Sequence, residues 1–213
     1  MKNIPNRQVR LGLTILTFFF VVNLQGQQPQ NIKILGQEDG TIDLTDWVRP
    51  YSLLGKTKYV NGELFMRVRR KGYYYVLVSP DNFTSIGHTS SVTLRNVHGA
   101  ATRLGYGLIF HSDQTPLVQG YAFLIDTLRQ RYRVVRHTPK TEKTLVQWVK
   151  SAAIKPGKEP NVLVVKDRGK ISELYINGIL VETVENTYAF KDGSPGLYTP
   201  AIEIAFKDFN VRP

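Results

Sequence analysis

The chain has 213 residues, enough for one sizeable hydrophobic core and too few for two ordinary domains joined by a linker. Its 42% hydrophobic and 21% charged residues are typical of a globular protein and exclude wholesale disorder. It has no cysteine, which excludes a disulfide scaffold, a thiolate metal site and a cysteine nucleophile.

The first 26 residues have the pattern of a secretory signal peptide. Lys2, Arg7 and Arg10 precede an uncharged, mostly apolar run at residues 11–22, and Gly26 follows as a small residue suited to cleavage. The run is short for a membrane-spanning helix, which needs about 20 residues; an uncleaved N-terminal anchor is the alternative. We therefore expect an exported protein, secreted or periplasmic, with no membrane span after cleavage.

Export also changes how the net charge is interpreted. Removing residues 1–26 takes away three of the 28 Lys and Arg and none of the 17 Asp and Glu, so the net charge falls from +11 to +8. A basic cytoplasmic protein would suggest a nucleic-acid partner, but an exported one does not. The cations at residues 67–71 surround a predicted turn, and those at residues 129–136 have the spacing of one solvated sheet face. We therefore expect no nucleic-acid partner.

Residues 27–40 are expected to be a flexible lead-in, after which the apolar pattern has period two nearly throughout. Runs rich in Val, Ile, Tyr, Phe and Thr alternate with Gly, Pro, Asn and Asp, and no window has the spacing of a long amphipathic helix. The pattern allows at most one helical turn, near residues 146–151, and a polar loop is expected at 138–144. The predicted strands are residues 41–44, 57–60, 63–68, 73–78, 91–96, 105–111, 120–126, 131–137, 161–166, 172–177, 179–184 and 202–211.

Two turns identify hairpins. Asn61-Gly62 and Asn177-Gly178 each separate two such runs, and Asn-Gly readily adopts the positive φ angles of a type I′ turn. When many short antiparallel strands form two stacked sheets, one face of each sheet is buried and the strand edges are protected from solvent. The predicted fold is therefore all-β: a two-sheet antiparallel β-sandwich, or jelly roll, over residues 41–213, preceded by the signal-peptide helix. A closed barrel is the alternative.

The chain from residue 105 onward carries a family resemblance. The strings that carry it are GYGLIFH at 105–111, YAFLID at 121–126, YRVVR at 132–136, LVQW at 145–148, NVLVV at 161–165, LYING at 174–178, PGLY at 195–198 and FKDFNV at 206–211. In this order they resemble the concanavalin A-like, laminin-G-like jelly rolls of bacterial secreted proteins, a group that includes the 3-keto-disaccharide hydrolase domain family. The resemblance covers about half of the chain well and residues 41–96 more loosely. It implies a sandwich with one concave face, on which relatives often bind glycans.

Catalytic signatures are missing from the sequence. Glycosidases of this fold class place acids on one strand as Glu-x-Asp-x-x-Glu, and no such string occurs. His88, His98, His111 and His137 have no metal-ligand spacing, and there is no nucleophile elbow and no Gly-rich phosphate or dinucleotide loop. We therefore predict no catalytic residues.

Sugar recognition needs aromatic faces for the pyranose CH groups and planar hydrogen-bonding side chains at the rim. Of the run Tyr73-Tyr74-Tyr75, at least one ring is expected to face solvent or a groove, since consecutive strand residues point to opposite sides. The family often has arginine at the position of His111. The candidate ligand-binding residues are His111, Tyr121, Tyr132, Arg133, Arg136 and Trp148.

The resemblance also implies a structural calcium ion, which relatives often carry, and no other cofactor. Its candidate ligands are Asp192, which precedes Gly193, and Asp208, within the string FKDF at 206–209. The sequence favours an exported, non-catalytic module that binds carbohydrate or another envelope component. A saccharide-active enzyme, such as a 3-keto-glycoside hydrolase or lyase, and a structural or protein-interaction module are the alternatives.

Overall fold

The computed structural model describes residues 40–49, 52–79, 87–115, 117–139, 141–187 and 193–213. All of them belong to one compact unit, Ile32–Pro213. The expected leader at residues 1–26 lies outside the described residues. Among those described, no helix is long and apolar enough to cross a membrane.

In the described residues, thirteen strands form two antiparallel sheets, with one 3₁₀ turn at Thr45–Trp47 ahead of them. The seven-stranded sheet has the order β1-β2-β13-β4-β9-β10-β11, and the six-stranded sheet has the order β3-β12-β5-β6-β7-β8. The strands are β1 Gly55–Val60, β2 Glu63–Val68, β3 Tyr75–Val78, β4 Thr89–Asn96, β5 Tyr106–Ser112, β6 Tyr121–Asp126, β7 Arg131–Thr138, β8 Thr141–Lys150, β9 Asn161–Asp167, β10 Ile171–Ile176, β11 Ile179–Glu185, β12 Ser194–Thr199 and β13 Ile204–Arg212.

The two sheets enclose one apolar core because each strand alternates its side chains between two faces. On β2, Leu64 and Met66 are buried between the sheets while Arg67 is exposed. Tyr106, Phe123 and other large aromatic side chains fill the same space. Each sheet keeps two edge strands, so the all-β sandwich predicted from the sequence is confirmed and the closed barrel is not formed.

Both Asn-Gly hairpins are confirmed. Asn61 and Gly62 have φ of 52° and 80°, and they join β1 to β2 in the register Val60↔Glu63. Asn177 has φ of 50° and joins β10 to β11. Its side-chain amide also donates to the carbonyl oxygen of Ala153 at 2.7 Å, so this turn is tied to the loop that follows β8.

The loop expected at 138–144 is wrong, and the helical turn that the pattern allowed near residues 146–151 is replaced by a strand up to Lys150. Strand β8 covers Thr141–Lys150 and pairs with β7 from the register pair Thr138↔Thr141 onward. Because β8 is an edge strand, most of its side chains are exposed, and its register with β7 shifts twice. Both features remove the regular alternation that would have identified it.

Strand β12 was also missed, because Pro195 and Gly196 are atypical of a strand interior. It lies inside the sheet between β3 and β5, and its register with β5 shifts between Ser194 and Gly196. A Cβ atom at Gly196 would be 2.5 Å from the carbonyl oxygen of Leu77. The glycine therefore allows β3 to approach β12 closely.

Candidate functional site

The outer face of the six-stranded sheet is concave. Tyr198 on β12 and His137 on β7 stack with ring centroids 6.0 Å apart, although β5 and β6 lie between their strands. Three strand spacings in a flat sheet would separate them by about 14 Å. Ile109 on β5 and Ala122 on β6, the two strands between them, belong to the same outer hydrophobic group as Tyr198.

A cluster of polar and aromatic side chains fills this concavity. Tyr74, which precedes β3, stacks on Tyr198 with centroids 4.7 Å apart and lies 5.7 Å from the ring of His137. Arg133 on β7 and Glu142 on β8 complete the group. We call these five residues, Tyr74, Arg133, His137, Glu142 and Tyr198, the concave-face cluster.

Glu142 connects the members of the cluster. Arg133 donates from Nη2 to Oε1 of Glu142 at 3.1 Å, and the Tyr198 hydroxyl donates to Oε2 at 3.2 Å. Nε2 of His137 lies 3.4 Å from the same Oε2. Arg133 also donates to the carbonyl oxygen of Leu104 at 2.7 Å and 3.1 Å. The guanidinium and the carboxylate thus hold each other in fixed positions.

The cluster is shielded from water, which changes its acid–base properties. The side chain of Glu142 is 18% exposed and that of His137 is 2% exposed. Burial alone would raise the pKa of Glu142, but the hydrogen bond from His137, the charge of Arg133 and the hydrogen bond from Tyr198 lower it below its ordinary value. Burial, reinforced by the charge of Glu142, raises the pKa of Tyr74 to about 12. The carboxylate is therefore ionised and the phenol neutral at neutral pH.

Trp148 extends the cluster toward the end of β8. Its ring lies 5.3 Å from the guanidinium of Arg133 and 4.3 Å from that of Arg131. The indole packs on Gly105, where a Cβ atom would be 3.0 Å from the ring. Gly105 has φ of 79°, which a glycine adopts without strain. Arg133 and Trp148, both candidates from the sequence, are therefore neighbours on the concave face.

Apolar residues occupy the rest of this face. They form a second hydrophobic group, separate from the core between the sheets, made of Val76, Ile109, Ala122, Leu124, Val135 and Tyr198, with Tyr74, Val78, Leu104 and Leu117 packed against it. The first six of these side chains are at most 7% exposed, so the surface beside the charged cluster is apolar and largely covered.

Three other candidates from the sequence lie elsewhere. Tyr121 and Tyr132 are buried in the core between the sheets, and the Tyr132 hydroxyl donates to the carbonyl oxygen of Val181 on β11 at 2.7 Å. Arg136 is half-buried and pairs across the sheet with Tyr121. The structure therefore does not bring these three residues into the concave-face cluster.

His111 lies at the end of the sandwich, between the sheets. It has φ of 54°, and its Nε2 is 3.3 Å from Oδ2 of the buried Asp167 on β9. The two side chains line a cavity of about 20 Å³ together with His88 and Gly193. This volume suits a single water molecule, so the cavity is too small for a sugar.

The expected calcium site is not supported by its candidate ligands. Asp208 is largely exposed and has Lys207 Nζ 3.7 Å from its carboxylate, a cation where a second anionic ligand would be needed. Asp192 lies outside the described residues. Within the described ranges, no three His, Cys, Asp or Glu side chains converge to hold a metal ion.

Sequence reasoning missed His137, Glu142 and Tyr198 as site residues. Tyr198 falls on the unpredicted strand β12, and Glu142 was assigned to a loop. One signal did point to the site. At least one ring of Tyr73-Tyr74-Tyr75 was expected to face solvent or a groove, and Tyr74 stacks on Tyr198 in the concave-face cluster while Tyr73 is exposed.

No protein-family model matches the chain, and no curated protein matches it. Solved structures do. A protein of unknown function with a galectin-like fold from Bacillus subtilis has a TM-score of 0.58 and 9% identity, over 75% of this chain and 86% of its own. A candidate glycosyl hydrolase from Parabacteroides distasonis has a TM-score of 0.51 and 13% identity, over 73% of this chain and 89% of its own. The carbohydrate-binding module CBM66 from Bacillus subtilis has a TM-score of 0.48 and 16% identity, over 74% and 86%. The first two similarities show a shared galectin-like, concanavalin A-like sandwich.

Proposed function

We propose that the concave face of the six-stranded sheet binds carbohydrate without chemically changing it. The observation that carries the proposal is the placement of a charged Arg133–Glu142 pair among the rings of Tyr74, His137 and Tyr198. Shielding two charges from water costs several kcal/mol, so such a pair is poorly explained as a means of stabilising the fold. Fixed donors and acceptors beside aromatic and apolar groups suit sugar hydroxyls and CH faces.

The state of Glu142 supports binding over hydrolysis. A glycosidase acid needs a raised pKa so that it carries a proton at neutral pH, and it needs a second carboxylate as nucleophile or base. The pKa of Glu142 is lowered instead, and the described part of the cluster contains no other carboxylate. Glu142 is therefore suited to accept hydrogen bonds from ligand hydroxyls.

A saccharide-active enzyme is the second candidate. The convergence of His137, Glu142 and Arg133 within hydrogen-bonding distance favours it, since these side chains can serve as base, orienting group and anion stabiliser. The resemblance to the 3-keto-disaccharide hydrolase family gives this candidate its substrate class, a keto-glycoside. A candidate glycosyl hydrolase is among the solved structures of similar fold.

Glycan-array binding of the chain from residue 27, with and without calcium, tests the proposal. We expect a defined set of glycans to bind equally under both conditions, and Trp148→Ala to abolish the signal. Tyr59→Ala is the matched control, because Tyr59 is a partly exposed aromatic residue on β1 of the other sheet. Equal binding by all three proteins, or none by the parent, would contradict the proposal. Release of new reducing ends or keto-sugars would instead establish the enzyme.

We also propose that the protein acts outside the cytoplasm after removal of residues 1–26. The basic start, the apolar run at 11–22 and Gly26 support this. Expression of the full chain in a bacterial host should yield a product that begins at Gln27 in the periplasm or medium. A cytoplasmic product that begins at Met1 would contradict it.

A further inference from the structure

One edge of the seven-stranded sheet concentrates positive charge. It consists of residues 52–58, which lead into and form most of β1, and residues 67–73, which end β2 and follow it. We call these residues the basic edge. It has no Asp or Glu, and its six cations are Lys56, Lys58, Arg67, Arg69, Arg70 and Lys71.

The cations of the basic edge are largely unneutralised. Within the described part of the chain, only Lys58 of the six has a carboxylate within 4.0 Å, that of Glu203. The nearby Glu63 is instead held by Arg95 at 2.6 Å. A surface with this much unbalanced charge attracts an anionic partner.

The basic edge also presents apolar side chains to solvent. Leu53 is 92% exposed and Leu54 is 62% exposed, and Tyr73 on the neighbouring loop is 52% exposed. The two loops are joined: Arg69 donates from its backbone N to the carbonyl oxygen of Leu54 at 3.1 Å and from Nε to that of Ser52 at 3.0 Å. The leucines are therefore held next to the cations.

We propose that the basic edge docks on an anionic phospholipid surface, with Leu53 and Leu54 entering the boundary between headgroups and acyl chains. Cations near such a surface attract anionic headgroups, and exposed leucine and tyrosine side chains partition into the interfacial region. An anionic polysaccharide would satisfy the cations but offer nothing to a pair of leucines. The leucines therefore decide between these two partners.

This surface differs from the proposed sugar site and meets it at one end, where Tyr73 of the basic edge precedes Tyr74 of the concave-face cluster. It lies on the edge strand β1 and on β2 of the seven-stranded sheet, whereas the concave-face cluster lies on the outer face of the six-stranded sheet. The protein would thus be held at a membrane surface through one sheet while the other stays available to a ligand.

Vesicle co-sedimentation tests the proposal. The chain from residue 27 retains every described residue of the compact unit and lacks the apolar run at 11–22, which would itself partition into lipid. We expect it to bind vesicles that contain phosphatidylglycerol, to release on addition of salt and not to bind vesicles of phosphatidylcholine alone.

Two double substitutions with matched controls locate the binding surface. Leu53→Ser with Leu54→Ser, and separately Arg70→Glu with Lys71→Glu, should each weaken binding about tenfold or more. The controls are Ile179→Ser with Leu180→Ser, an exposed apolar pair at the opposite edge of the same sheet, and Lys155→Glu with Lys158→Glu, an exposed basic pair before β9. Both controls should bind like the parent. Because the two test pairs lie on different loops, either one alone provides a test if the other fails to fold.

Several results would overturn the proposal. Equal binding to neutral and anionic vesicles would exclude recognition of charge, and full binding by the Leu53/Leu54 variant would exclude insertion. If the control variants lost as much vesicle binding as the test variants, the binding surface could not be assigned to the basic edge. Binding to soluble dextran sulfate without binding to vesicles would assign the edge to polysaccharide instead.

Discussion

Arg133 and Glu142 form an ion pair on adjacent strands of one hairpin, with Nη2 and Oε1 3.1 Å apart and with 10% and 18% of their side chains exposed. The pair lies on the outer, concave face of its sheet, yet it is better shielded from water than other surface ion pairs. In Arg168–Glu173, for example, the charged atoms are 3.6 Å apart and the side chains are more exposed. A shielded pair leaves an uncompensated charge when one partner is removed.

Glu142→Ala is therefore expected to lower the free energy of unfolding by about 3 kcal/mol, since Arg133 would keep its shielded charge without a counterion. Glu142→Gln should cost less because its amide oxygen still accepts a hydrogen bond. Urea denaturation measures both. Glu173→Ala is the control, and its expected loss is about 1 kcal/mol or less. An equal loss of unfolding free energy at the two positions would show that the Arg133–Glu142 pair is as well solvated as a surface pair.

The lowered pKa of Glu142 predicts a specific acid response. The folded-state pKa lies below the ordinary value of 4.5, so the stability that ionised Glu142 contributes is complete above pH 4.5 and is lost as pH falls through the lower folded-state value. Glu142→Gln should lack this part of the pH dependence. Thermal melting of both proteins over a pH series measures the difference, which should narrow toward acid pH. A constant difference would contradict the prediction.

The raised pKa of Tyr74 predicts an alkaline response of opposite sign. Its folded-state value, about 12, lies above the ordinary value of 10.0. The stability it contributes is therefore complete below pH 10.0 and is lost as pH rises toward 12. In an absorbance titration of native protein, Tyr74→Phe should remove one phenol that ionises near pH 12. Glu142→Ala should lower the pKa of Tyr74 by removing a nearby negative charge; an unchanged titration in both variants would contradict the assignment.

Gly193 is predicted to be essential to the end of the sandwich near His111. Its φ is 141°, and a Cβ atom there would lie 2.5 Å from the backbone carbonyl carbon of His111. Gly193→Ala should therefore cost about 3 kcal/mol or more, through both strain and collision. Gly72 also has positive φ, 83°, but has open space around it, so Gly72→Ala should cost only about 1 kcal/mol. Chemical denaturation compares the two, and equal losses would show that the collision is relieved at no cost.

Local sequence predicted most strands because burial of one sheet face imposes a period of two on the residues themselves. The strand Glu63–Val68 was predicted with the bounds it has, and both Asn-Gly turns formed because their backbone preference is local. Strands β8 and β12 were missed for the converse reason. The first is exposed at a sheet edge, and the second contains Pro195 and Gly196, which only the surrounding strands accommodate.

The sequence by itself determined the all-β class, the hairpins and the choice of Arg133 and Trp148 as ligand-binding candidates, of which only Arg133 lay on a predicted strand. Only the tertiary structure decided that Tyr74 and Tyr198 join Arg133, His137 and Glu142 in one concavity. Tyr74 and Tyr198 are far from β7 in the chain, and their approach depends on β12 entering the sheet between β3 and β5 and on the curvature of that sheet. Lateral strand order and curvature arise from packing between the two sheets, which no local pattern of residues records.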